Sequence, residues 1–323
     1  MLSRPRHVLV TGGAGFLGSH LCTRLVHSGQ RVTCVDNFST GSPEHLSELP
    51  PEWLSVVEHD VTEPIPDPGP VDAVLHLASA ASPVDYRRNG VETLRAGAAG
   101  TEHALRLALR WGARFLLAST SEVYGDPERH PQREDYRGNV DPVGPRSVYD
   151  EAKRYAEALT VAYGRERGAD VALARIFNTY GPRMRADDGR MIPAFVTQAL
   201  AGDPVTVAGS GEQTRSLCYV DDTVSGLLAL LDSDLTGPVN IGNPHELTVR
   251  ALAERVLRAT GSGSPITHVP AAADDPRRRC PDISLARTAL GWQPTVDLDE
   301  GLRRTTAWFA ATRPERGTSA SLR

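Results

Sequence analysis

Lysine is almost absent from this chain. Of 35 basic residues among 323, only Lys153 is lysine; every other one is arginine. The formal net charge is -5 and the sequence pI about 6.1. An acidic chain without a concentrated basic face is poorly suited to binding nucleic acid through its phosphates, so no nucleic-acid partner is expected. Cysteine is also scarce. Cys22, Cys34, Cys218 and Cys280 lie far apart with no C-x-x-C pair, a spacing that signals neither a zinc site nor a disulfide framework. No bound metal is expected, and reduced thiols in a cytoplasmic protein are the natural reading. No apolar run approaches the roughly 18 to 20 residues of a membrane span, so no membrane partner is expected. The opening MLSRPRHVLVTGGAG has too short an apolar stretch for a secretory signal.

Hydrophobic residues make up 40% of the chain and charged residues 23%, enough for a sizeable core. The first half alternates β-branched runs with amphipathic stretches. Strands are expected at 7–11, 31–35, 54–58, 71–77, 114–119 and 170–176, and helices at 16–27, 91–111 and 147–168. That alternation implies an α/β fold: a Rossmann-type, doubly wound parallel sheet covered on both faces. After residue 178 the texture changes to Gly-, Pro- and Arg-rich loops between short helical patterns at 191–201, 221–232, 248–260 and 299–311. The expected division is a dinucleotide-binding domain over 1–177, with later segments returning to it, a smaller α/β substrate lobe over 178–312, and a flexible tail over 313–323.

Two constellations carry chemistry. In TGGAGFLG, Gly12, Gly15 and Gly18 follow a strand and open a helix. Glycines there permit a tight turn, close approach of a pyrophosphate and close helix–strand packing, with the anion at the helix N-terminus. Asp36 ends the next strand, near the offset at which a carboxylate meets ribose hydroxyls. Its charge repels a 2′-phosphate and so favours NAD over NADP. Asp60, after the third strand, could reach the adenine. The second constellation is SVYDEAK, in which Tyr149 and Lys153 share one helix face at i,i+4. A tyrosine serving as a base near pH 7 needs its pKa lowered by roughly three units, about 4 kcal/mol. A nearby ammonium and a nicotinamide cation together could supply that. The one lysine in the chain lies one turn past this tyrosine, where a compact ammonium fits better than a planar guanidinium.

With TGGAGFLG, Asp36 and YDEAK in that order, the chain resembles the extended short-chain dehydrogenase/reductase family, whose members act on nucleotide sugars. The resemblance covers about residues 6–310. Within it, VDNFSTG, HLASAASPVDY, LLASTSEVYGDP, HPQREDY, ARIFNTYGPRM, GSGEQTRS, VNIGNPHE and DDPRRRCPDI are most similar to the members that decarboxylate UDP-glucuronate to UDP-xylose. The resemblance implies a catalytic set of Thr120, Glu122, Tyr149, Lys153 and Arg279. Glu122 and Arg279 would deal with the sugar carboxylate. Beyond Gly12, Gly15, Asp36, Asp60, Tyr149 and Lys153, it implies cofactor contacts from Phe16, Leu17, Asn37, Phe38, Thr40, Gly41, Val61, Leu77 and Ser79. UDP-sugar contacts are implied for Tyr86, Ser121, Asn178, Arg215 and Arg279, and a homodimer built on the helices near 91–111 and 147–168. Two positions depart from the family pattern: Gly97, where asparagine is frequent, and Ala80, where proline is usual. The competing readings are a nucleotide-sugar 4-epimerase or 4,6-dehydratase, and a dinucleotide-binding scaffold without catalysis.

Overall fold

The computed structural model describes residues 6–270 and 278–313. Apart from Arg313, the expected tail lies outside the described residues, as do the first four residues of the DDPRRRCPDI segment. Thirteen strands are present among the described residues: β1 (His7–Thr11), β2 (Arg31–Asp36), β3 (Leu54–Glu58), β4 (Ala73–His76), β5 (Arg114–Thr120), β6 (Val171–Ile176), β7 (Thr179–Tyr180), β8 (Val205–Ala208), β9 (Thr214–Ser216), β10 (Cys218–Tyr219), β11 (Pro238–Ile241), β12 (Glu246–Thr248) and β13 (Ile266–Val269). Seven of them form one parallel sheet in the order β11-β6-β5-β4-β1-β2-β3. The chain runs outward from β1 through β2 to β3, then restarts on the other side at β4. This reversal leaves a crevice at the carboxyl ends of β1 and β4, where ligands of doubly wound sheets sit. β11 is the segment that returns from late in the chain to the sheet edge, beside β6.

The helices are α1 (Phe16–His27), α2 (Pro83–Arg88), α3 (Gly90–Arg95), α4 (Thr101–Trp111), α5 (Ser147–Arg167), α6 (Met191–Ala201), α7 (Val220–Leu231), α8 (Val249–Thr260), α9 (Ser284–Leu290) and α10 (Leu298–Thr312). The expected helix 91–111 is α3 and α4 joined through a widened π turn at Ala96–Gly100. α5 stops at Gly168, whose φ of 70° is the left-handed conformation glycine adopts readily at a helix end.

Both sheet faces are buried, which is why the strands read as continuous apolar runs. In β1, Leu9 points to one side and Val8 and Val10 to the other. The Leu9 side packs with Phe115 and Leu117 against Leu105 and Ala108 of α4 and Ala156 of α5. The Val8 side packs against Leu25 of α1 and Leu227 of α7. Its core continues without a break to Phe195 of α6, Val256 of α8 and Phe309 of α10. Each fully buried leucine or phenylalanine contributes about 1.5–3 kcal/mol over exposure. This shared core fixes the later loops against the crevice. Among the described residues, no helix is long and apolar enough to cross a membrane.

Candidate active site

The turn after β1 is built on close approach. Gly12 adopts a φ of +69°, and a Cβ there would lie 2.8 Å from the Ala78 nitrogen. A Cβ on Gly18 would collide with the Gly12 carbonyl, so α1 can sit this close to the loop only with glycine. Gly15 differs: the nearest atom to a Cβ there is the Gly12 oxygen at 3.2 Å. Gly15 faces a cavity of about 640 Å³ and is the N-cap of α1, with no side-chain cap and no acidic residue in the first turn. Free backbone N–H groups at a positive helix end, open to a cavity, are a seat for phosphates.

Asp36 is held rigidly at the opposite wall. Its carboxylate accepts from Ala14 N and Phe38 N, each at 2.9 Å. Asp60 accepts from the Asn37 amide at 2.9 Å and from Thr62. Burial pushes its carboxyl up, but these donors hold it below the ordinary value. Gly12, Gly15, Phe16, Leu17, Asp36, Asn37, Thr40, Asp60, Val61, Leu77, Ser79, Tyr149 and Lys153 all line the cavity, as does Ala80. Phe38 and Gly41 stand behind its lining. Phe38 packs on the core at a φ of 56°, and a Cβ on Gly41 would meet the Ala14 backbone. The donor set, the open glycine and the carboxylate placed for ribose together fit a dinucleotide.

Farther along the crevice, the end of β5 delivers Thr120, the 3-10 turn that follows (Ser121–Tyr124) delivers Ser121 and Glu122, and α5 delivers Tyr149 and Lys153. Both α5 residues are buried. The Lys153 ammonium donates to Ala118 O at 2.9 Å and lies 5.9 Å from the Tyr149 ring centre. Burial pulls Lys153 down to about 8, with Glu157 opposing. Burial drives the Tyr149 hydroxyl well above its ordinary value, and a hydrogen bond with Thr120 pulls the other way. The lowered tyrosine pKa expected from sequence is therefore not a property of the protein alone. The free apolar pocket raises it, and only an added cation beside the phenol can reverse the sign. The buried His76 beneath them is pushed down to about 3 by burial and then by Lys153, so it is a neutral floor.

Glu122 lies at a junction between this cavity and a second one of about 470 Å³. Its two oxygens pair with Arg279 and Arg146. Burial alone would raise the Glu122 carboxyl, but the two guanidiniums overcome this and hold it at about 2. Arg279 also donates to Gly125 O at 2.9 Å and is only 3% exposed, so it is a built part of the wall, not a solvated member of an arginine run. The Arg146 Nε–H and the Tyr86 hydroxyl are buried without a partner. Tyr86 stacks on Tyr149 with ring centres 5.3 Å apart and an 8° interplanar angle.

The second cavity brings together Tyr86, Asn178, Arg215 and Arg279 with Glu122 and Tyr149. Ser121 and Thr120 face the first cavity instead. Sequence reasoning missed Arg146, Arg190 and Gln213, which also line the second cavity. Arg146 stands three residues before Tyr149 in GPRSVY, so the preceding turn was the place to look.

Residues 8–242 match the model of the NAD dependent epimerase/dehydratase family, and the chain belongs to that family. It is 50% identical over 305 residues to UDP-glucuronic acid decarboxylase 1 of Xenopus tropicalis, covering 94% of this chain and 72% of that one. Against UDP-glucuronic acid decarboxylase 6 of Arabidopsis thaliana it is 51% identical over 301 residues, 91% of this chain and 86% of that one. Among solved structures it is similar to the UDP-glucose 4-epimerase of Thermotoga maritima with UDP-glucose, at a TM-score of 0.88 and 30% identity over 95% and 99% of the two chains. It is also similar to a dTDP-glucose 4,6-dehydratase from Streptomyces venezuelae with NAD bound, at 0.87 and 28% over 95% and 98%.

Proposed function

We propose that this chain is an NAD-dependent decarboxylase that converts UDP-glucuronate into UDP-xylose and CO2. The observation that carries the reading is the charge at the cavity junction. Two guanidiniums, the buried Arg279 and the half-buried Arg146, face one carboxylate, Glu122. The surplus cation and the unpartnered Arg146 Nε–H suit a substrate that brings its own carboxylate. A neutral hexose, as in 4-epimerisation, leaves both unmatched.

NAD+, when bound, supplies reversible hydride acceptance and a positive charge beside the phenol. Gly12, Gly15, Asp36 and Lys153 would hold it. Tyr149 takes the proton of the sugar 4-hydroxyl as that carbon becomes a ketone, and Thr120 orients the hydroxyl. The C6 carboxylate is now β to a carbonyl. The C5–C6 bond breaks, CO2 leaves, and the electron pair passes into an enolate. Stabilising that oxyanion is the largest contribution expected of the site. C5 takes up a proton from solvent in place of CO2, C4 is reduced again, and Tyr149 gives its proton back. The apolar surroundings that raise Tyr149 favour its neutral form at this last step. Residues 1–177 serve as the dinucleotide half and residues 178–312 as the sugar-nucleotide half. The protein acts as a homodimer joined through α3 and α5, on which Val91, Leu94 and Tyr155 are exposed.

Product analysis with UDP-glucuronate, UDP-glucose and dTDP-glucose tests the reaction. CO2 and UDP-xylose from the first alone are expected. Turnover of only the other two overturns the reading and leaves an epimerase or dehydratase.

A further inference from the structure

A second constellation of chemically active side chains lies outside the two cavities' junction, where three distant segments converge. His130 comes from the loop before α5, Glu246 from β12, and Cys280 from the segment before α9. His130 Nε2 is 2.8 Å from Glu246 Oε2. The Cys280 sulfur completes a set of three donor atoms that all lie within 4.8 Å of one another. We propose that His130, Glu246 and Cys280 form a binding site for a divalent cation of the zinc class.

The donor chemistry selects the ion. One imidazole nitrogen, one carboxylate oxygen and one sulfur suit zinc or cobalt far better than magnesium or calcium, which take oxygen alone. Bonds of roughly 2.0 to 2.3 Å to a tetrahedral ion place ligand atoms about 3.3 to 3.8 Å apart, within side-chain reach of the present arrangement. The fourth position would hold water.

Two of the three donors, Glu246 and Cys280, are also fixed from behind, as ligands of a built site are. The Thr214 hydroxyl donates to Glu246 Oε1 at 2.6 Å, leaving Oε2 for the centre. Cys280 is locked in both directions to one residue: its N–H donates to Gln132 Oε1 and its carbonyl accepts from Gln132 N, each at 2.8 Å. The thiol donates to Pro244 O at 3.2 Å, a proton it would surrender on binding the ion. The sequence gives no sign of this site because its members are spread over three segments without ligand spacing. Occupancy would tie the segment carrying Arg279 and the β9–β12 pair carrying Arg215 to the loop that holds Gln132.

The full chain, stripped with chelator under reducing conditions, is titrated with Co2+ alone. One equivalent is expected to produce the near-ultraviolet charge-transfer band of a cobalt–thiolate bond together with the visible bands of tetrahedral cobalt. Zn2+ displaces the signal and raises the thermal midpoint. Cys280→Ser loses the band and the zinc-dependent rise while keeping its circular dichroism. His130→Ala, at a largely exposed position, weakens binding by on the order of tenfold or more. Absence of the thiolate band or of the zinc-dependent midpoint shift in the wild type overturns the proposal. So does a band that persists in Cys280→Ser, since the ion would then lie on another cysteine.

Discussion

At the scale of single residues, two carboxylates near Tyr149 behave oppositely, and the cause is which partners each was given. Glu122 has two guanidiniums and falls from 4.5 to about 2 against the effect of burial. Asp150, the neighbour of Tyr149, is buried with an unpartnered Oδ1 and rises from 3.8 to about 7 through burial first and the charge of Glu122 second. A depressed folded pKa gives stability that is present above pH 4.5 and lost as pH falls toward 2, about 3 kcal/mol for Glu122. A raised one gives stability present below pH 3.8 and lost as pH climbs to about 7, about 4 kcal/mol for Asp150. Unfolding free energies of the wild type and Asp150→Asn between pH 4 and 8 should therefore diverge, with the wild type losing ground as pH rises. Parallel curves would show that the folded protein does not raise this carboxyl. For Tyr149→Phe the expectation concerns rate. Phenylalanine keeps the stack on Tyr86 but cannot move a proton, so turnover should fall by about 10²- to 10⁴-fold. NAD binding by calorimetry should be largely kept; lost binding would make the residue a cofactor anchor instead.

At the scale of elements, the helix that the sequence reads as 91–111 carries the most informative departure. A glycine inside a helix costs about 1 kcal/mol relative to alanine, so Gly97→Ala ought to stabilise if propensity decided the matter. The structure reverses that expectation. Gly97 lies in the widened turn between α3 and α4, and a Cβ there would stand 2.7 Å from the Ala152 Cβ and 2.9 Å from the Ala152 oxygen. Crowding of this kind costs about 1 to 3 kcal/mol, more than the propensity gain. Since Lys153 follows Ala152, the shift is transmitted to the lysine. Gly97→Ala should lower the denaturation midpoint and reduce kcat more than it raises KM; a stabilised, fully active variant would refute the packing argument.

The six strands expected in the first half, the helices other than the short α2 and α9, and the order of the glycine loop were legible because each repeats a period over several residues or sits at a fixed offset from a glycine. β7, β9, β10 and β12 were not, since two or three residues contain no period. The resemblance implied Glu122 and Arg279 only as residues that deal with the sugar carboxylate; their pairing was not legible, because the fold alone brings those positions together. Arg146 had no motif to announce it. The rise of the Tyr149 hydroxyl in the cofactor-free protein was not legible, because burial, its dominant cause, is invisible in a sequence.

At the scale of the whole molecule, sign and symmetry decide the outcome. The chain is net negative, yet among the described residues nine cationic side chains line the two cavities against six carboxylates. Such focusing draws a dianionic or trianionic nucleotide sugar inward, and salt screens it over about 10 Å at 0.1 M. kcat/KM for UDP-glucuronate should decline as ionic strength rises; a flat profile would mean the cavity field does not govern capture.

The exposed apolar residues make a further whole-molecule argument. Val84 of α2, Val91 and Leu94 of α3 and Tyr155 of α5 are 40–59% exposed, and these three helices pack on one another. A monomer gains nothing by presenting such a face, whereas a twofold pairing buries it from both sides. The same α2 carries Tyr86, which stacks on Tyr149 inside the site. Pairing through this face would thus brace the substrate wall from behind. Leu94→Glu places a charge in the seam without touching either cavity's catalytic groups. Light scattering should show a dimer for the wild type and a monomer for the variant. The wild-type thermal midpoint should rise with protein concentration while that of the variant does not. A wild type that is monomeric at all concentrations would leave the face without this partner and refute the bracing of Tyr86.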